Sequence, residues 1–286
     1  MFHVERKEPP HILARPRDHL VSGLTFEVHL DQEKQIAKTQ PFPAEEELPN
    51  FYLSDEYISH GNKRNTFYAR IYRWVQTFMF SKKERWIRKH GKGKRAYLDF
   101  GCGTGDFVHY LQKKGWKSYG IEPSEKARNF NPQHKNLFAA LEELQNKNFD
   151  VIGLWHVLEH LPSPKQQIQT LEKQLNPNGV FVLALPNYKS LDAKHYKDHW
   201  AAYDVPRHLW HFSATGITAL MKELGFTLVQ RKGLFFDAFY VSYLSEKQKQ
   251  HSSPFIRGMF WGLISNLAAL ITGEYSSVVY TYRRKN

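Results

Sequence analysis

Residues 98–107 read LDFGCGTGDF, with the short apolar run AYLDF (96–100) on one side and the amphipathic DFVHYLQKKG (106–115) on the other. Gly101, Gly103 and Gly105 therefore stand where a strand hands over to a helix. Such a turn lets the backbone approach a ligand closely and presents the helix N-terminus to it. The spacing is not the GxGxxG that seats a pyrophosphate in a dinucleotide fold, because the third glycine comes one residue early. Asp99, two residues before Gly101, adds a carboxylate that repels a pyrophosphate and suits a cationic ligand.

A ligand with a sulfonium, an ammonium and no phosphate meets that condition, and S-adenosylmethionine is one. The next apolar run ends in GIEPS, which places Glu122 seventeen residues after Gly105. A carboxylate there accepts hydrogen bonds from both ribose hydroxyls and excludes a 2'-phosphate. Each piece also has an ordinary explanation, since glycines serve tight turns and acids cap helices. Their order along the chain is what points to a nucleoside ligand.

Outward from this turn, short apolar runs alternate with amphipathic ones: WKSYGIE, SEKARNF, FDVIGLW, PKQQIQTLEKQL, GVFVLAL, ATGITALMKELG and FTLVQRKG. Alternation of this kind predicts a parallel sheet with helices on both faces. SSVVYTYRR (276–284) alternates with period two and predicts a last strand. Near the N-terminus, HLVSGLTFEVHLDQEKQIAKT (19–39) predicts two short strands joined around DQEK. Phe67, Ile71, Trp74, Val75 and Phe78 recur at helical spacing on a long basic segment. The apolar stretch from Phe255 to Gly273 is interrupted by Arg257, Ser265 and Asn266, falls short of a comfortable membrane span, and reads as a helix packed on protein.

Taken in order, LDFGCGTGDF, GIEPS, FDVIGLWHVLEHLPSP and LNPNGVFVLALPN resemble the motifs of the class I S-adenosylmethionine-dependent methyltransferases, over about Arg95 to Arg231. VLEH followed by proline resembles the subgroup that includes quinone-biosynthesis O-methyltransferases. The resemblance implies an α/β fold, a doubly wound, seven-stranded, mostly parallel sheet of order 3-2-1-4-5-7-6, with SSVVYTYRR as the antiparallel strand between the fifth and sixth. It also implies a methyltransferase domain over residues 65–286, with a helical, lid-like insertion at 236–274, preceded by an extension over 1–64 carrying the short hairpin. The cofactor implied is S-adenosylmethionine, held by Asp99, Gly101, Cys102, Gly103, Gly105 and Glu122. Leu141 joins them through backbone groups from Ala139 to Leu141 around the adenine, with Glu142 nearby, Trp155 against the adenosine and His156 near the methionine end. Two departures stand out. Asn178 replaces a usual glycine, though asparagine tolerates left-handed backbone, and NLFAALEEL lacks the aspartate many relatives carry after the third strand.

WHVLEHLP (155–162) also contains HxxEH, which on a suitable helix binds zinc in a peptidase. Pro162 disfavours helical geometry at Leu161, so the helix is expected to be too short and no metal is expected. A base is needed only if the acceptor arrives protonated, and His156 and His208 are the candidates. Loops at the carboxyl ends of the strands surround the reacting centre in this fold, which makes His160, Asp204, Arg207 and His211 candidates for the acceptor site. An Asp and Arg pair often does nothing but hold a loop. Tyr57 and His60, in YISHGNKRN, are expected in a lid over the cofactor.

The chain has 286 residues, 41% hydrophobic and 15% aromatic, enough for one full core and an appended subdomain. Lysine and arginine outnumber acids 40 to 28, so the surface is basic and admits association with nucleic acid or an anionic membrane. No recognisable nucleic-acid module appears, and LPNY (185–188) only partly echoes the NPPY of base-methylating enzymes. A small-molecule acceptor is therefore expected, with RNA or protein methylation and non-catalytic cofactor binding as the alternatives. A lid over an apolar acceptor and a peripheral membrane contact both stay open for the apolar stretch. Cys102 is the single cysteine, and the N-terminus lacks the apolar run of a signal peptide, so a cytoplasmic protein is expected. Nothing in the sequence sets the oligomeric state.

Overall fold

The computed structural model describes residues 11–44, 46–52, 67–90 and 95–285, with side chains from residue 76 onward in the helix that begins at 67. Tyr57 and His60 lie outside the described residues. The chain opens with three strands, β1 (His11–Ala14), β2 (Glu27–Asp31) and β3 (Ile36–Gln40). β2 and β3 pair antiparallel across the DQEK turn with Leu30 opposite Ala37, as the alternation predicts. The long basic segment forms α1 (Phe67–Arg88).

From residue 96 the alternation becomes β4 (Ala96–Phe100), α2 (Asp106–Lys113), β5 (Lys117–Ile121), α3 (Glu125–Arg128), β6 (Leu137–Phe138) and β7 (Phe149–Trp155). It continues as α4 (Pro164–Glu172), β8 (Leu175–Pro186), α5 (Leu191–Tyr196), β9 (Trp210–Phe212), α6 (Ala214–Glu223) and β10 (Phe226–Gly233). The helical insertion is a pair of helices, α7 (Phe235–Gln248) and α8 (Pro254–Thr272), before β11 (Ser277–Arg284).

Seven strands form one sheet in the order β6-β5-β4-β7-β8-β11-β10, which is 3-2-1-4-5-7-6 when its strands are counted along the chain. β4 pairs in parallel with both β5 and β7, and β7 with β8. Leu234 N–H donates to Ser277 O at the end of β10, and Lys285 N–H donates to Gly225 O at its start, so β11 runs antiparallel to β10. β4 and β7 are buried almost end to end, as strands covered on both faces must be. Phe107, Val108 and Leu111 form the buried stripe of α2, and Ile168 and Leu171 that of α4, which starts on Pro164 where a missing N–H costs nothing. Asn178 is left-handed at φ 63°, the conformation expected of it.

Contacts divide the chain into two compact units. One comprises Met1–Ser54, Pro186–Ala219 and Gly233–Ser277; the other comprises Asp55–Leu185, Leu220–Lys232 and Val278–Asn286. The second holds the seven-stranded sheet. In the first, the N-terminal hairpin does not stand alone, because β3 takes β9 as its outer neighbour, with Ile36 opposite Phe212 and Ala37 opposite His211. Its core gathers Val28, Ala37, Tyr196, Trp200 and Tyr203. The buried Asp192 carboxylate accepts from Trp200 Nε1 at 2.7 Å, Ser265 Oγ at 2.7 Å and Ser276 Oγ at 2.6 Å, which ties α5 to α8. α7 and α8 approach closely because a methyl at Gly258 would stand 2.5 Å from Tyr243 Cα, and one at Gly262 2.7 Å from Phe239 Cα.

Candidate cofactor site

Asp99 is the last residue but one of β4, and Tyr97 precedes it on the same face of the strand. The Tyr97 hydroxyl donates to Asp99 Oδ1 at 3.0 Å and accepts the Trp155 indole N–H at 2.9 Å. Asp99 is buried at 4% exposure. Burial pushes its carboxyl up to about 6, while the charge of Lys83 and the Tyr97 hydrogen bond pull the other way. Burial, with the Asp99 charge beside it, holds the Tyr97 phenol well above its ordinary range. Lys83, from α1, stands 4.2 Å over the Trp155 ring and 5.5 Å from the Phe107 ring. Trp155, expected against the adenosine, thus has its N–H engaged by Tyr97 and its face under Lys83.

The turn after β4 has all three glycines in left-handed backbone, at φ 76°, 55° and 75° for Gly101, Gly103 and Gly105. Gly101 N–H and Cys102 N–H both donate to Ile121 O, at 2.8 and 2.9 Å, which fastens the turn to the end of β5. A methyl at Gly101 would meet Val157 at 2.4 Å and one at Gly105 would meet Leu137 at 2.6 Å, whereas one at Gly103 would meet nothing within 4 Å. The turn is packed at its two ends and open at its middle. Glu122 reaches across to it: Oε2 accepts from Gly103 N–H at 3.0 Å and Oε1 from Ser124 N–H at 2.9 Å. Burial, with the Asp99 and Glu122 carboxylates, pushes the Cys102 thiol far up, so it is no nucleophile near neutral pH.

Asp106, in the first turn of α2, accepts from Thr104 Oγ1 at 2.9 Å and Asn131 Nδ2 at 3.2 Å. Asp99, Glu122 and Asp106 together make this glycine turn anionic, which fits a cationic nucleoside and not a polyphosphate. Leu141 opens the 3-10 turn Leu141–Leu144 after β6. The amides of Ala139 and Ala140, expected at the adenine, donate to Glu143 Oε1 at 2.8 and 3.1 Å. The acid at these amides is Glu143, one residue on from the Glu142 of the sequence expectation.

WHVLEHLP has no α-helix. His156 is left-handed at φ 56°, Leu158–His160 makes one 3-10 turn, and Leu161 is already extended. His156 and His160 therefore share no peptidase-type helix. His156 N–H donates to Ala184 O at 3.0 Å, and its Nδ1 lies 3.3 Å from Oε1 of the buried Glu159. The imidazole stands beside an acid three residues on, at the carboxyl end of β7.

The remaining candidates lie in the first unit, where Arg207 and Asp204 are paired with each other. Arg207 is 1% exposed and donates to Asp204 Oδ1 at 2.7 Å, Asp18 Oδ1 at 3.1 Å and Phe51 O at 3.1 Å. It is a guanidinium anchoring a loop, with Asp204 as its partner. His211 is buried with Nε2 2.9 Å from Thr39 Oγ1, and burial with neighbouring His208 pushes it well below the usual imidazole range. His208 is 8% exposed, with Nδ1 2.9 Å from Ala202 O. Burial in polar contacts of this kind suits a framework role better than an acceptor role. Tyr97 and Lys83 were missed; Tyr97 was findable, because residues i and i+2 of a strand share a face.

A family model described as a methyltransferase domain matches residues 71–231, more than half of the chain. The tRNA U34 carboxymethyltransferase of Pseudoalteromonas atlantica is 28% identical over 185 residues, covering 60% of this chain and 54% of that protein. The Ubiquinone biosynthesis O-methyltransferase of Rickettsia canadensis is 23% identical over 159 residues, covering 50% and 67%. The chain thus spans about half the length of the first of these relatives. Among solved structures, a SAM dependent methyltransferase from Archaeoglobus fulgidus has the same fold, with a TM-score of 0.50 at 20% identity, covering 77% of this chain and 100% of that one.

Proposed function

The chain belongs to the methyltransferase-domain family, and from that membership we propose that it is an S-adenosylmethionine-dependent methyltransferase acting on a small-molecule acceptor. The single observation that carries this reading is the buried Asp99 carboxylate beside a glycine turn open at Gly103. The donor set fits the cofactor: carboxylates for its cationic end and its ribose, and an open glycine where its body passes. Asp99, the turn from Gly101 to Gly105, Glu122, Leu141, Trp155 and His156 are the residues that would hold it.

When bound, S-adenosylmethionine supplies a methyl group already activated on a sulfonium, so no nucleophilic side chain is required. The protein's contribution is orientation and exclusion of water. Asp99 is kept in place by Tyr97 and kept partly ionised by Lys83 against the cost of burial. Glu122 is oriented by the Gly103 and Ser124 amides and has lone pairs left for hydroxyl donors. His156, with Nδ1 3.3 Å from the Glu159 carboxylate, has an acid beside it that favours its protonated form, which suits an imidazole that takes a proton from an acceptor. The Ubiquinone biosynthesis O-methyltransferase relatives support a hydroxyl on an apolar, quinone-like ring as the acceptor.

A second reading, transfer onto RNA, has its own support in the tRNA U34 carboxymethyltransferase relative and in the eight lysines or arginines against one glutamate between residues 82 and 95. Radiolabelled methyl transfer from S-adenosylmethionine separates the two. Product in an organic extract of hydroxylated quinol analogues supports the first; salt-sensitive labelling of bulk tRNA supports the second. No transfer to either, with no S-adenosylhomocysteine binding, would sink both.

A further inference from the structure

α8 is amphipathic the wrong way round. Its buried face consists of Gly258, Gly262, Ser265, Asn266 and Ala269. Ser265 Oγ donates to Asp192, and Asn266 Nδ2 donates to Phe235 O at 2.9 Å. The glycines let α8 lie directly against the backbone of α7. Its outward face consists of large apolar side chains at Phe255, Ile256, Phe260, Leu263, Leu267, Leu270 and Ile271, with exposures from 45% to 91%. An ordinary surface helix does the reverse, burying its large apolar residues and showing its polar ones.

Among the described residues, these seven are nearly half of the exposed large hydrophobics, and α7 adds Phe235 and Tyr240 to that set. A contiguous apolar surface of this size marks an interaction site. We propose that the outward face of α7 and α8 lies in the surface of a lipid bilayer, with α8 in the plane of the interface and not across it.

Three features favour lipid over a second copy of the chain. First, the face is broad: adjacent pairs Phe255–Ile256 and Leu270–Ile271 are both exposed, wider than the two-position seam on which helices pair. Second, Arg257 is the only charged residue in α8, and its Nε is engaged at 2.8 Å by Glu246. Protein interfaces carry about ten direct hydrogen bonds, and this face offers almost no side chain to make them, whereas hydrocarbon requires none. Third, the exposed side chains are of the interfacial type: Phe235, Tyr240, Phe255 and Phe260 are all exposed aromatics, and Lys247 stands in the last turn of α7, at the end of the helix pair where a long cationic side chain suits anionic headgroups. The proposal does not depend on the acceptor's identity, although a membrane-dissolved acceptor would be collected there.

The test is flotation of the full chain with vesicles of phosphatidylcholine alone and with about one third phosphatidylglycerol. The chain is expected to float with both, more strongly with the anionic vesicles. A variant carrying Phe260→Asp and Leu267→Asp is expected to lose at least tenfold in partitioning while retaining the wild-type circular dichroism and thermal midpoint. As an independent readout that spares the fold, Ile271→Trp is expected to gain fluorescence quenched by brominated lipid. Wild-type chain left in the aqueous fraction with both vesicles would overturn the proposal. So would a stable dimer by analytical ultracentrifugation that Phe260→Asp and Leu267→Asp convert to monomer without any vesicle binding by the wild type.

Discussion

Tyr97 donates its hydroxyl proton to Asp99 at 3.0 Å, two residues along one strand, while accepting from Trp155. A carboxylate that would otherwise be a costly buried charge is thereby given a partner and a fixed direction. Tyr97→Phe removes that partner and leaves the Trp155 N–H unsatisfied. The expected result is a loss of about tenfold in S-adenosylhomocysteine affinity, with a stability loss of about 1–3 kcal/mol. Calorimetric titration and thermal melts of the same sample check both.

The raised Asp99 carboxyl has a pH signature. Its folded value, about 6, lies above the ordinary aspartate value of 3.8. The native state therefore holds this proton more tightly than the unfolded state does. Its contribution to stability is fully present below pH 3.8 and is lost as pH rises toward and through about 6. Ligand binding runs the opposite way, because the ammonium group of the ligand favours the ionised carboxylate. S-adenosylhomocysteine affinity is expected to fall as pH drops below about 6, and Asp99→Asn is expected to abolish that dependence. Lys83→Gln should move the midpoint upward, since the Lys83 charge holds the carboxyl down.

The glycines of the turn are expected to separate by experiment. Gly103→Ala meets open space, so it should fold at a cost of about 1–2 kcal/mol for the left-handed backbone while occupying the room a ligand needs. Gly101→Ala drives a methyl to 2.4 Å from Val157 and should lower the thermal midpoint far more. Equal melting temperatures for the two variants would count against this division of roles.

Much of this was legible before any coordinates. LDFGCGTGDF placed strand, turn and helix, GIEPS placed Glu122, and Pro162 foretold that WHVLEHLP is no long helix; each rests on local backbone rules acting over a few residues. What was not legible depends on distant partners. Arg207 reads as an acceptor-site candidate or as the loop partner of Asp204, and only the fold shows that Asp18 and Phe51, far away in the chain, close on it too. β3 reads as the edge of a hairpin until β9 pairs with it. The inverted faces of α8 escaped because periodicity reports that a helix has two faces, not which one the protein covers.

Arg207 yields a stability prediction. Arg207→Ala leaves the buried Asp18 carboxylate without its ion-pair partner and should cost about 3–5 kcal/mol. Arg207→Lys should rescue little, because a compact ammonium lacks the planar fork that reaches Asp204, Phe51 O and Asp18 in separate directions. Urea unfolding of the three proteins checks this, and a stable Arg207→Ala that loses only turnover would return the residue to the acceptor site.

The carboxylate-lined turn is tested most directly by calorimetric titration of S-adenosylhomocysteine into the wild-type chain and into Asp99→Asn at pH 7.5. Saturable one-to-one binding to the wild type, weakened at least tenfold in an Asp99→Asn protein that melts no lower, is the predicted result. No saturable binding by the folded wild type, or equal affinity for the two proteins, would contradict it.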